Sequence, residues 1–190
     1  MAFATIDVTK GITGTLAVAN GGTGLASGTT GQLLKFTGST TLASSAISTG
    51  KIGQVVDTRV GDAPSHIVTT STSLVDSGIA RTITPSASSS KIIVRFFTGM
   101  AASGTDNDIR FALYRDSTNL TPSAYNWTQF RVEGGSSGTN YNGCMAELID
   151  SPSSSSEINY KIYYKSANGG QVYACQDGGG YTLTCMEVLA

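Results

Sequence analysis

Lys91-Ile92-Ile93-Val94-Arg95-Phe96-Phe97 is the strongest strand signal in the chain. Apart from two charged residues it consists of β-branched and aromatic side chains, the types that suit a pleated surface. In an extended backbone Ile92, Val94 and Phe96 share one face, and Ile93, Arg95 and Phe97 share the other. With both faces largely apolar, the segment predicts a central strand covered on both sides.

Working outward, strand signals recur at a spacing of roughly ten residues, the rhythm of a β-sandwich. On the N-terminal side, Pro85 stops a strand over residues 79–84, and Ser86 to Ser90 fill the loop before Lys91. Residues 54–60 read as the first strand. Residues 66–70 and 73–76 read as the arms of a hairpin, with Gly78 as punctuation. On the C-terminal side, residues 108–115 alternate cleanly, with Ile109, Phe111 and Leu113 inward and Arg110, Ala112 and Tyr114 outward. Residues 127–132 are weaker. Residues 141–149 place Cys144, Ala146 and Leu148 on one face. In residues 157–165, Ile158, Tyr160, Ile162 and Tyr164 face in, while Asn159, Lys161, Tyr163 and Lys165 face out. Residues 171–175 and 181–189 close the series, separated by Asp177-Gly178-Gly179-Gly180. The expectation is eight to ten strands and no helix: an all-β, antiparallel sandwich, with the strand count of a jelly roll. A head over residues 51–190 is long enough to bury about two-thirds of its unfolded surface.

Residues 1–50 differ in kind. They are Gly, Thr, Ser and Ala with scattered aliphatics: Ile6, Val8, Ile12, Leu16, Val18, then Leu33, Leu34, Phe36, Leu42 and Ile47. Gly11, Gly14, Asn20-Gly21-Gly22, Gly28, Gly31 and Gly38 punctuate them. So many glycines suit a backbone that turns often or packs closely against other chains. The segment predicts an extended stem of short strands and turns, ordered inside an oligomer, in which Ile6, Val8, Leu16, Val18, Leu33 and Leu34 anchor against other chains. A flexible Gly/Ser linker is the plainer alternative.

Charged residues make up 13% of the chain, about half the usual share. The surface must therefore rely on hydroxyls, amides and glycine, as suits a rigid extracellular or virion-bound protein. With 12 basic and 13 acidic residues and no basic run, the footprint of a nucleic-acid binder is missing. No run approaches the roughly 18 apolar residues of a membrane span. Met1-Ala2-Phe3-Ala4-Thr5-Ile6-Asp7 has neither the basic nor the apolar region of a secretory signal, so the expectation is synthesis in a cytoplasm and release by lysis. Cys144, Cys175 and Cys185 are odd in number and widely spaced, and read as small buried hydrophobes.

Reaction chemistry finds little support. Gly50-Lys51 is followed by Ile52, without the hydroxyl of a phosphate loop. Gly22-Thr23-Gly24 is followed by Gly28, one residue late for a dinucleotide fingerprint. His66, the only histidine, has no nucleophile elbow to serve. Paired carboxylates for glycoside cleavage would be Asp106 with Asp108, or Glu133 with Glu147. Asp106-Asn107-Asp108 offers calcium-type oxygens, without the glycine and distal glutamate of a known loop. The expectation is no enzyme, no cofactor and no metal. Better binding material is aromatic: Tyr125-Asn126-Trp127 and Asn140-Tyr141-Asn142 combine flat apolar rings with amides in what read as loops. Tyr125, Asn126, Trp127, Tyr141 and Asn142 are the candidate contacts for a surface sugar or protein. For Trp127 a place in the sandwich core is equally expected.

The Asn20-Gly21-Gly22-Thr23-Gly24 segment resembles one common in the stems of bacteriophage tail-fibre proteins. Ile52-Gly53-Gln54-Val55-Val56 resembles the opening strand of a β-sandwich domain of phage structural proteins. The hairpin from Thr69 to Asp76, the piece Ile83-Thr84-Pro85 through Lys91-Ile92-Ile93-Val94, and the ending Thr182-Leu183-Thr184-Cys185-Met186-Glu187-Val188 are similar to that family as well. Residues 99–150 match nothing in it. The resemblance implies a homotrimeric virion component, anchored through its N-terminal part to other tail or capsid proteins. Its exposed C-terminal head would attach to a host surface polysaccharide or protein. A capsid or tail decoration protein without a receptor fits the same plan, and a small polysaccharide-degrading enzyme is the third alternative.

Overall fold

The computed structural model describes residues 23, 25, 29–39, 41–45, 51–61, 67–123, 126–132, 138–175 and 180–189. These form thirteen strands, and no helix occurs among them. The chain divides into two units, Met1–Thr49 and Gly50–Ala190.

In the first unit, β1 (Leu33–Phe36) and β2 (Leu42–Ser45) make an antiparallel hairpin, with Leu33 opposite Ser45 and Phe36 opposite Leu42. The Thr37 N–H donates to the Thr41 carbonyl at 3.0 Å across the turn. Leu33, Leu34 and Phe36 are exposed, since among the described residues no second layer lies over the hairpin. Ile6, Val8, Leu16 and Val18 lie outside the described residues.

The second unit contains β3 (Ile52–Val60), β4 (Ile67–Thr69), β5 (Val75–Ile83), β6 (Lys91–Ser103), β7 (Asp108–Arg115), β8 (Thr118–Asn119), β9 (Thr128–Arg131), β10 (Thr139–Asp150), β11 (Ile158–Ser166), β12 (Val172–Ala174) and β13 (Tyr181–Val188). Eleven strands therefore stand where eight to ten were expected; the short β4 and β12 fall on the expected residues 66–70 and 171–175, and β8 is the addition. The pairing is nested. β7 pairs with β9, β6 with β10, β5 with β11 and β3 with β13, all antiparallel, like a long hairpin folded back on itself. β13 also pairs with β6, and β11 with β7. The eight main strands thus form two sheets, β3-β13-β6-β10 and β5-β11-β7-β9. That nested pairing over two antiparallel sheets makes the unit a jelly roll. β12, paired in turn with β4, continues along the edge of β6 where β13 leaves off.

The core lies between the sheets. Ile92, Val94 and Phe96 of β6, Ile109, Phe111 and Leu113 of β7, and Leu183 and Cys185 of β13 are fully buried. Phe96 meets Phe111 edge-on with ring centroids 5.4 Å apart. The inward residues predicted for β11 are all buried. Cys144, Cys175 and Cys185 are buried and free.

Four expectations change. β6 is central, between β13 and β10, but only one of its faces is covered: Phe97 is 53% exposed. A two-layer sandwich has one interior, so a strand apolar on both faces leaves one of them outside. Residues 73–76 and 79–84 do not form separate strands. Gly78, at φ 76°, absorbs a register shift against β11, and β5 runs through it. The expected hairpin between β4 and β5 is absent, since β4 pairs with β12 in the other sheet. Ala112, expected outward, is buried; it sits directly opposite Tyr163, whose long side chain is able to cover a methyl group.

Candidate functional site

Register aligns the outward residues of β3, β13, β6 and β10 into cross-strand rows. One row reads Arg59, Thr182, Phe97, Met145. The next reads Asp57, Thr184, Arg95, Glu147, and a third Val55, Met186, Ile93, Ile149. Further along, β4 and β12 bring Val68 and Tyr173 level with Ala101 and Tyr141. Val55, Phe97, Met145 and Ile149 are each more than half exposed, Met145 at 75%.

The two outer faces of the sandwich differ sharply. Among the described residues of the second unit, the large apolar side chains left exposed are Ile52, Val55, Val68, Phe97, Tyr141, Met145 and Ile149. All of them belong to the β3-β13-β6-β10 sheet and its β4-β12 extension. The other sheet turns Lys161, Lys165, Thr82 and a stacked Tyr114–Tyr163 pair (centroids 4.0 Å apart) outward. Large apolar side chains gathered on one side of a domain mark an interaction surface.

Among the described residues, one ion pair crosses the apolar face. Arg95 donates from Nη2 and Nε to the same Glu147 oxygen, at 2.6 and 2.9 Å. Both side chains are about half exposed, so the pair contributes at most about 1 kcal/mol to stability. Two shallow depressions open on this side of the sheet. One lies between Arg59, Phe97, Tyr181 and Thr182; the other lies between Arg95, Met145 and Glu147.

The residues proposed from sequence are not brought together. Tyr125 lies outside the described residues. Asn126 adopts φ 58°, and Trp127 is half-buried, its ring stacked on Phe96 at 6.3 Å. Its indole N–H donates to the Glu147 carbonyl at 3.2 Å. Tyr141 and Asn142 are exposed, but they lie within β10, not in a loop, because they pair with Ala101 and Met100 of β6. Six strand residues, roughly 20 Å, separate Tyr141 from Glu147, so the two aromatic groups do not line one pocket.

The proposed acids are engaged elsewhere. Asp108 is buried and accepts from Arg110 Nη2 at 2.8 Å, with Arg131 Nε at 3.8 Å. Asn107 is buried too; its amide donates to the Ser103 and Gln171 carbonyls, and its oxygen accepts from the Ser166 hydroxyl at 2.9 Å. The oxygen it would offer a cation is therefore already used. Glu147 faces Arg95, while His66 and Glu133 fall outside the described residues. Among the described residues no cluster of His, Cys, Asp or Glu is placed to hold a metal ion.

The apolar outer face is the feature that sequence reasoning missed. Its signal was present: Ile93 and Phe97 share a parity on β6, as do Met145 and Ile149 on β10. Alternation shows which residues share a face, but it does not show what covers that face.

The geometry defines a jelly-roll domain with one polar and one apolar outer face, joined to a glycine-rich N-terminal unit. No family model and no curated protein matches the chain. Among solved structures it is similar to the VP2 subviral particle of infectious bursal disease virus, with 11% identity and a TM-score of 0.44, over 82% of this chain and 37% of that one. The T13 particle of the same virus gives 12% identity and a TM-score of 0.44, over 82% and 39%. Its Gx strain gives 10% and 0.36, over 82% and 40%. The chain spans about two-fifths of the length of these viral proteins.

Proposed function

We propose that the chain is a structural component of a phage particle, a trimeric tail fibre whose jelly-roll head attaches to the host surface. The observation that carries this reading is the joining of two unlike units. One is rich in glycine and hydroxyl residues, poor in charge and carries the Asn20-Gly21-Gly22-Thr23-Gly24 segment; the other is a jelly roll. In this reading Ile6, Val8, Leu16, Val18, Leu33 and Leu34 anchor the first unit on other virion proteins. Tyr141 and Asn142 contact a surface polysaccharide or protein, with Tyr125, Asn126 and Trp127 contributing from the preceding segment. The head breaks no bonds; it acts through weak contacts multiplied by valency.

The test is adsorption. Purified full-length chain is expected to compete with phage for host cells, and Tyr141→Ala with Asn142→Ala to weaken that competition. Particles lacking the protein that adsorb normally would sink the fibre assignment. A capsid or tail decoration subunit without a receptor is the second reading. The wide apolar outer face favours it, since such a face suits burial among other subunits.

A further inference from the structure

We propose that the outer face of the β3-β13-β6-β10 sheet is the contact through which one copy of this chain packs on another. Its centre is the three rows holding Phe97 and Met145, Arg95 and Glu147, and Ile93 and Ile149.

Three observations select a second copy as the occupant. The first is the asymmetry of the sandwich: the exposed large apolar side chains of the second unit gather on this sheet, whereas the opposite face carries lysines. A face built for water would not hold Phe97 and Met145 in one row and Val55 and Ile149 in another, on either side of the Arg95–Glu147 row. The second is charge. The three rows hold Arg59 and Arg95 against Asp57 and Glu147, two of each sign. A neutral surface of mixed sign complements itself. It offers no net attraction to a nucleic acid, an anionic membrane or an acidic polysaccharide. A lipid phase would in addition have to accommodate the Arg95–Glu147 pair between two apolar rows. With a net charge of -1, whole copies barely repel one another.

The third is area. Four strands spaced about 4.8 Å apart, over ten residues of about 3.3 Å each, give a footprint of roughly 600 Å² per copy. Two copies would bury about 1,200 Å², the lower bound of a standard specific interface. In the contact, Phe97, Ile93, Met145 and Ile149 would lose their exposed area to water, and the Arg95–Glu147 pair would be partly desolvated. The pair then acts on register more than on affinity.

Tyr141, the proposed receptor contact, lies on the same sheet two rows beyond Met145, but the two assignments are read in different measurements. The two fail separately, one in a mass measurement and the other in cell adsorption. Full-length chain is compared by light scattering after size exclusion with Phe97→Lys/Met145→Lys, and with Lys161→Glu on the opposite face. The parent and Lys161→Glu are expected to elute at two or three times the single-chain mass, and the double variant at the mass of one chain with an unchanged β circular-dichroism spectrum. If the double variant fails to fold, Met145→Lys alone, at the most exposed of these positions, is expected to lower the association constant at least tenfold. A monomeric parent overturns the proposal. So does a folded face variant that keeps the parent's mass, since the copies would then associate elsewhere.

Discussion

The indole N–H of Trp127 donates to the main-chain carbonyl of Glu147 at 3.2 Å, while its ring stacks on Phe96 at 6.3 Å. Among the described residues β10 pairs with β6 alone, so it is an edge strand twelve residues long. Long unguarded edges recruit other strands. Trp127 covers one carbonyl of β10 and also roofs the core beneath it.

Trp127→Ala is therefore expected to destabilise the head by about 2–4 kcal/mol, less than the about 3–5 kcal/mol of a large aromatic lost from a core, because Trp127 is only half-buried. Trp127→Phe keeps a stacked ring and loses the donor, at a cost of about 1 kcal/mol. Urea unfolding separates the two. Equal stability of both variants and the parent would show that the stack and the hydrogen bond contribute nothing.

Glu187 is buried on β13, where one carboxylate oxygen accepts from the Ser86 N–H at 2.6 Å and the Ser86 hydroxyl at 2.7 Å. The other accepts from Gln54 Nε2 at 2.8 Å. Burial alone would push its pKa up, but the hydrogen bonds from Ser86 and Gln54, helped by Ser90, prevail and hold it down to about 2. A folded-state pKa below the unfolded value of 4.5 stabilises the fold above that value. The benefit is lost as pH falls from about 4.5 towards 2, and amounts to about 3 kcal/mol at neutral pH. Glu187→Gln is expected to lower stability at neutral pH and to flatten this acid limb. Urea midpoints of parent and variant that fall in parallel through the window would remove Glu187 from the account.

The strands that were legible in the sequence are those with one polar and one apolar parity, such as β11, where Ile158, Tyr160, Ile162 and Tyr164 alternate with Asn159, Lys161, Tyr163 and Lys165. β6 was legible as a strand but not as a surface, since Ile93 and Phe97 read like core until the layers are counted. For Tyr141 and Asn142 the sequence supports two readings, the start of a strand over 141–149 and an asparagine-rich loop; twelve residue pairings with β6 hold them in the strand. The β4–β12 pair joins Val68 to Tyr173 across most of the head, a contact that local propensity does not encode. Trp127 was balanced between core and surface, and it occupies the boundary: one face lies on Phe96 and its N–H reaches the edge of the neighbouring sheet.

The cysteines provide an alkaline counterpart to Glu187. Burial pushes the Cys144 thiol up to about 11, against a smaller opposing effect of the Thr128 hydroxyl, and Cys185 up to about 12, against Arg81. Cys175 is raised by burial as well, with Thr98 opposing. The thiolate is the reactive form, so none of the three should react with a thiol reagent in the folded protein, and all three should react once it is unfolded. Their raised folded-state values leave stability intact below the unfolded value of 9.0 and drain it as pH rises through about 11 and 12. Stoichiometric labelling of the native chain at neutral pH would contradict the burial of these thiols.

Asp150, the last residue of β10, accepts from Arg115 Nη1 through both oxygens at 2.9 Å and from the Tyr160 hydroxyl at 2.6 Å. Arg115 ends β7 and Tyr160 lies in β11, so one carboxylate ties the two sheets together. Tyr160 is fully buried; burial first, then its bond to Asp150, raises its pKa well above the ordinary phenol value, so its hydroxyl is a donor at neutral pH. Asp150→Ala would leave a partly buried guanidinium and a buried hydroxyl without their acceptor. The expected loss is about 3–5 kcal/mol, as when one partner of a buried pair is removed. Tyr160→Phe leaves the ion pair intact and deletes one hydrogen bond, at a cost of about 1–2 kcal/mol. Because the residues share one network, the double variant should lose less than the sum of the single losses. A Tyr160→Phe loss as large as that of Asp150→Ala, or additive behaviour of the two, would mean that Asp150 does not join the sheets in the way its contacts indicate.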